Sequence, residues 1–247
     1  MPLIILTMAI QVALIVHCIR TGRNSLWIWA IALLPMVGSI AYIVAEVLPS
    51  LSSSRGARRA VSAVRKTLDP DRDLRQYASR VRLSGDIDSR RRLAEEQLEK
   101  GLTLEAIATY RSALTGLYEH DPTLMLGLAR AHFAAHEQRE CRETLDELIE
   151  HNPDFKSPEG HLLYARALEE EGDAAKALEE YRVLSEYYPG AEARVRYALI
   201  LKRSGNPDQA RQVLREVLDS AELAPAHYRK AQQEWLERAR RELSASG

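Results

Sequence analysis

His132, His136 and Cys141 are the residues whose types and spacing come nearest to a reactive cluster. Two histidines four apart share one helix face, and a thiolate nearby could join them as ligands of a zinc ion. Each of the three also fills a slot that helix packing explains by itself, as the repeat below makes plain. Packing is the role expected, with no metal and no cofactor. The carboxylate runs Glu169-Glu170-Glu171 and Glu179-Glu180 read as solvated helix faces. The sequence holds no glycine-rich phosphate loop and no nucleophile elbow, so no enzyme activity is expected.

The elements that would carry any site begin with two apolar stretches, Leu3 to Ile19 and Leu26 to Leu48, separated only by Arg20 to Ser25. The second has 23 residues, roughly 34 Å of helix against a bilayer core of about 30 Å. The first has 17, with Thr7, Gln11 and His17 inside it. In lipid the backbone must bond to itself, so both should be helices of a transmembrane hairpin over residues 1–49. Pro35 and Gly38 should bend the second, while Trp27 and Trp29 suit the outer interface and Tyr42 the inner one.

Charge sets the orientation. Arg20 and Arg23 lie between the spans, whereas Arg55, Arg58, Arg59, Arg65 and Lys66 follow the second, with no acidic residue between Glu46 and Asp69. The positive-inside rule places both termini in the cytoplasm, as a multi-pass protein of the bacterial inner membrane. Residues 50–70 form a basic juxtamembrane linker in which those five cations face anionic headgroups. Residues 1–68 carry a net charge of +6 and the remainder −7; the acidic remainder argues against nucleic acid as a partner. Cys18 in the bilayer and Cys141 beyond it cannot pair within one chain, which agrees with a reducing compartment.

From residue 87 the chain repeats itself. Ala106, Cys141, Ala177 and Ala210 recur at intervals of 35, 36 and 33 residues. Four residues after each stand Tyr110, Leu145, Tyr181 and Leu214. Five residues before each stand Gly101, His136, Gly172 and Gly205. Each turn is preceded by a helical stripe that ends in a small residue, Ala94, Ala129, Ala165 or Ala198. Pro122, Pro153 and Pro189 are expected to end the second helices, with Pro225 displaced slightly.

This layout resembles the tetratricopeptide repeat, a helix–turn–helix unit of about 34 residues. The expected fold is therefore all-α: a two-helix transmembrane hairpin, then a TPR-like α-solenoid of about four repeats with a capping helix. The units run 87–121, 122–157, 158–190 and 191–224. An amphipathic helix in 71–86 (Leu74, Tyr77, Ala78, Val81) should cap the first, and 225–247 should cap the last through Ala231, Trp235 and Ala239. The first repeat departs most, with Arg90 and Gln97 at usually apolar slots and a second helix about one turn longer than usual. The run Leu26-Trp27-Ile28-Trp29 through Leu34-Pro35-Met36-Val37-Gly38-Ser39-Ile40-Ala41-Tyr42 looks like the hydrophobic N-terminal module of bacterial cardiolipin synthases, of the phospholipase D nuclease N-terminal type. The whole chain is similar to an uncharacterised family of bacterial tetratricopeptide membrane proteins. Phosphatidyl transfer in the phospholipase D group needs paired His-x-Lys-x4-Asp motifs, and no histidine here has lysine two residues on.

The repeat resemblance implies a groove lined by first-helix residues. Carried over slot by slot, it gives Arg91, Glu95 and Leu98; Leu126, Arg130 and Phe133; Glu159, Leu162, Arg166 and Glu169; Val195, Leu199, Lys202 and Arg203. Leu126, Arg130, Phe133, Leu162, Arg166, Lys202 and Arg203 are the expected partner-binding set: cations for acidic groups of an unknown protein partner, Phe133 as an anchor. The function expected is a membrane-anchored adaptor or scaffold. The alternative is an accessory or regulatory protein of phospholipid metabolism, whose hairpin recognises lipid or membrane enzymes.

Overall fold

The computed structural model describes residues 69–245, together with Gln11, Leu14, Ile15, Val16, Cys18, Arg20, Trp27 and Trp29. The chain divides into two compact units, Met1–Arg72 and Asp73–Gly247. In the first, Cys18 is buried against Leu14, Ile15 and Trp27. The rest of the expected hairpin (3–19 and 26–48), its cardiolipin synthase-like run, and Arg55, Arg58, Arg59, Arg65 and Lys66 lie outside the described residues. Among the described residues no helix is long and apolar enough to cross a membrane.

The second unit is all-α, with no strand among the described residues. Its helices are α1 (Arg72–Ser84), α2 (Ile87–Glu99), α3 (Thr103–Ala113), α4 (Pro122–Ala134), α5 (Gln138–His151), α6 (Pro158–Glu171), α7 (Ala174–Tyr187), α8 (Glu192–Arg203), α9 (Pro207–Leu223), α10 (Ala226–Ala231) and α11 (Gln233–Ser244). Helices α2/α3, α4/α5, α6/α7 and α8/α9 form antiparallel pairs, and each pair stacks on the next. The result is an α-solenoid, in which every pair covers the apolar face its neighbour cannot bury alone.

Local chemistry fixes the pairs. Asp86, Asp121, Ser157 and Asp173 each accept a backbone N–H from the first turn of the helix that follows. Within the pairs, the turn positions Gly101, His136, Gly172 and Gly205 all have positive φ. At each, the N–H one residue further on donates to a carbonyl five residues back: Leu102 to Gln97, Glu137 to His132, Asp173 to Leu168, Asn206 to Leu201, at 2.9–3.0 Å. That bond closes the first helix in a left-handed cap, which glycine accepts freely. His136, at φ 61°, carries the strain of a side chain there.

Close approach then builds the core. Ala94, Ala129, Ala165 and Ala198 are buried, as are Tyr110, Leu145, Tyr181 and Leu214 between layers. Gly127 shows how tight the fit is: a β-carbon on it would sit 2.5 Å from the ring of Tyr110.

Three expectations need correction. Pro122 does not end a helix; it opens α4, where its missing N–H costs nothing. The second helix of the first repeat is not extended. It stops at Ala113, and a single 3-10 turn over Gly116–Tyr118 follows, with Leu117 wholly exposed. The C-terminal segment is two helices broken at Gln232, whose side-chain oxygen accepts the Ala191 N–H at 2.9 Å. That bond turns Leu236 and Ala239 into the core and leaves Ala231 outside.

Candidate functional site

The first helices line one face of the solenoid; α2 packs on α4 and α4 on α6. Between α6 and α8 the link is ionic. Glu192 accepts hydrogen bonds from Arg166, with Nε at 2.6 Å, and from Arg196 at 2.7 Å. Glu169 accepts from Arg196 at 3.0 Å, Arg203 at 2.5 Å and the Tyr181 hydroxyl at 3.0 Å. Burial works against the Arg196 charge, yet Tyr181, Glu192 and Glu169 outweigh it and raise its pKa. Burial likewise pushes the Tyr181 phenol far above its ordinary value, so Tyr181 stays a neutral donor.

Helix α11 closes this network into a groove of about 650 Å³. Its walls are Glu169 of α6, Arg196, Leu199, Lys202 and Arg203 of α8, and Glu234, Trp235, Arg238, Arg241 and Glu242 of α11. Glu242 pairs with Lys202 and Arg238, both at 3.1 Å, and the Arg196 guanidinium lies 5.0 Å from the centre of the Trp235 ring. Five cations face three carboxylates, with Leu199 and the Trp235 ring between them. Such a surface suits a segment that alternates acidic and apolar side chains.

Of the seven residues expected to meet a partner, Lys202 and Arg203 line this groove, each already holding a carboxylate. Arg166 stands beside it, bound to Glu192. Arg130 is exposed further along the solenoid. Leu162 is buried in the core of the last repeats, and Phe133 packs half-buried on the cluster around Met125 and Cys141. Leu126 is buried and opens instead on a second, apolar cleft of about 580 Å³, with Ile149, Phe155, Tyr164 and Tyr187. There His161 links Glu180 at 2.6 Å to the Tyr187 hydroxyl at 2.5 Å.

Sequence reasoning missed Arg196, Glu234, Arg238, Arg241 and Glu242, and took Trp235 for a cap alone. Trp235, Arg238 and Glu242 follow i, i+3, i+7 spacing, so one helix face was legible. That this face meets α8 was not.

His132, His136 and Cys141 take the separate places of α4, the turn after it and α5. His132 is buried, its Nδ1 bonded to Glu137 at 2.6 Å and its Nε2 3.5 Å from the Arg111 guanidinium. Cys141 is fully buried, and burial pushes its thiol up to about 12. Among the described residues no three His, Cys, Asp or Glu side chains gather where they could hold a metal.

Tetratricopeptide repeat families match residues 97–167, 159–191 and 191–216. The crystal structure of MamA superposes with a TM-score of 0.55 at 19% identity, over 64% of this chain and 93% of that one. MamA residues 41 to the end from Desulfovibrio magneticus RS-1 gives 0.58 at 12% identity, over 68% and 95%. YrrB, described as a TPR protein with an unusual peptide-binding site, gives 0.50 at 18% identity, over 66% and 82%. At these identities the likeness is one of fold, and the fold is a TPR-like helical solenoid. No curated protein matches the chain.

Proposed function

We propose that this chain is a membrane-anchored adaptor. It holds a protein partner in the groove between α6, α8 and α11, at the cytoplasmic face of the bacterial inner membrane. The observation that carries the reading is the groove's lining: Leu199 and Trp235 set among five cations and three carboxylates. Lys202, Arg203 and Arg238 are the more exposed of the cations that Glu169 and Glu242 hold, and they are the ones the acidic groups of a partner can reach. The solenoid fold favours binding over catalysis, and no catalytic step is assigned. YrrB, a neighbour in fold, is described as having a peptide-binding site.

The anchor rests on the sequence. Two apolar stretches of spanning length and a basic run after the second support a hairpin with both termini inside. The packing of Cys18 on Trp27 is consistent with two helices that turn back on one another.

The test is crosslinking in intact cells followed by mass spectrometry, comparing the native chain with an Arg203→Glu/Arg241→Glu variant. Both residues are exposed, so the fold should survive. Loss of the crosslinked proteins from the variant is the expected result. An unchanged profile removes the groove from the account.

A further inference from the structure

Helix α1, the helix expected to cap the first repeat, buries no side chain fully. Its apolar stripe, Leu74, Tyr77, Ala78 and Val81, is half-buried, and Tyr77 reaches Arg92 of α2. Leu83 follows Leu74 by nine residues, half a turn round the helix, and is 88% exposed. The helix carries Arg72, Arg75, Arg80 and Arg82, all exposed, against one aspartate, Asp73, and Arg80 and Arg82 are the ones beside Leu83. Asp69, Asp71 and Asp73 all lie at the N-terminal end, where the helix dipole favours them. The C-terminal half is left with Arg80, Arg82 and Leu83 and no acid. On the helix Arg80 lies about 60° to one side of Leu83 and Arg82 about 100° to the other, so the two guanidinium groups flank it.

We propose that this arginine face docks on the anionic phospholipid surface of the membrane. Arg80 and Arg82 would sit at the headgroups and Leu83 would enter between them. Charge on either side supports the assignment. Upstream, Arg55, Arg58, Arg59, Arg65 and Lys66 continue the basic run toward the spans. Downstream, residues 85–247 hold 23 Lys/Arg against 31 Asp/Glu, a net −8 that the same surface repels. The inference rests on the membrane-anchor reading, and the experiment separates the two.

The full chain carrying Cys18→Ser, Cys141→Ala and Leu83→Cys is labelled with an environment-sensitive dye. It is then mixed with vesicles of phosphatidylcholine alone or of equimolar phosphatidylcholine and phosphatidylglycerol. Flotation reads the anchor; dye emission and quenching by brominated lipid read the docking. The expected result is flotation with both vesicles, but a blue shift and quenching only with phosphatidylglycerol. Both signals should fall at high salt and in an Arg80→Gln/Arg82→Gln variant, where lipid contact drops by about fivefold per arginine. Flotation with both vesicles and emission that ignores phosphatidylglycerol overturns the docking and leaves the anchor standing, as does a shift that survives Arg80→Gln/Arg82→Gln. Flotation with the phosphatidylglycerol vesicles alone sustains the docking and removes the anchor; flotation with neither removes both. A blue shift caused by soluble cell proteins without lipid gives the face to a protein instead.

Discussion

The two ends of the solenoid are finished in opposite ways. At the C-terminal end, α11 drives Leu236 and Ala239 into the core and pins its own start through Gln232. At the N-terminal end, α1 buries nothing fully and shows arginines and Leu83 to the outside. A solenoid needs its last apolar face covered if it is to stay monomeric and folded. One end meets that need within the chain. The other spends its terminal helix on charge, a poor way to add stability and a good way to add a contact.

The sharpest way to break this comparison is to truncate one apolar side chain at each end and measure chemical denaturation. Leu236→Ala should cost about 3 kcal/mol, the usual loss for a buried leucine that leaves a cavity. Val81→Ala in α1 should cost about 0.5 kcal/mol, since its site is only half-buried. Equal losses would mean that α1 is a cap after all.

Alkaline pH should sharpen it further. Burial holds the Cys141 thiol at about 12, against 9.0 when unperturbed, and Tyr110 at about 12 against 10.0. A folded-state pKa above the unfolded value means that the folded chain holds its proton more tightly. The stability this gives is complete below the unfolded value and drains away as pH rises through the folded one. Cys141 therefore begins to weaken the middle repeats above pH 9, at about 1.4 kcal/mol per unit. Tyr181, with its phenol raised, follows in the later repeats only above pH 10. Amide exchange should show α4 and α5 opening before α7 and α8. In a Cys18→Ser background, Cys141 should resist alkylation at pH 8 until the chain unfolds; fast alkylation of the folded chain contradicts its burial.

The smallest effect lies at the turns. His136→Gly should raise stability by about 0.5 kcal/mol, because φ 61° strains a residue with a β-carbon more than it does glycine. Gly172→Ala, at φ 89° with open space around its missing β-carbon, should lose about 1 kcal/mol from backbone strain alone. Melting curves of the two variants should move in opposite directions.

The repeat itself was legible because each of its slots is a local demand. A small residue must stand where helices touch, a left-handed residue where the first helix ends, and a large apolar one between layers. Periodicity therefore announced Ala106, Gly172 and Tyr181 before any fold was known. Where the first repeat's second helix ends was hidden, because Leu114 to Tyr118 keeps a helical pattern that Gly116 interrupts. Half of the groove was hidden too. Lys202 and Arg203 follow from the slots of α8, but their partners Glu242 and Glu169 come from 40 and 34 residues away.

The amino-acid order by itself determined the helix–turn–helix units, the alanine contacts between them, the polarity of charge along the chain and the two apolar stretches at its start. Each depends on neighbours within a turn or two of helix, or on counting. Only the tertiary structure decided that Trp235 faces a groove as well as a core, that Leu126 opens on a different cleft, and that α1 buries its apolar stripe only halfway. Those outcomes depend on which helix comes to lie against which. At the C-terminal end that rests on the Gln232–Ala191 bond and the fit of Leu236, and neither leaves a periodic trace in the sequence.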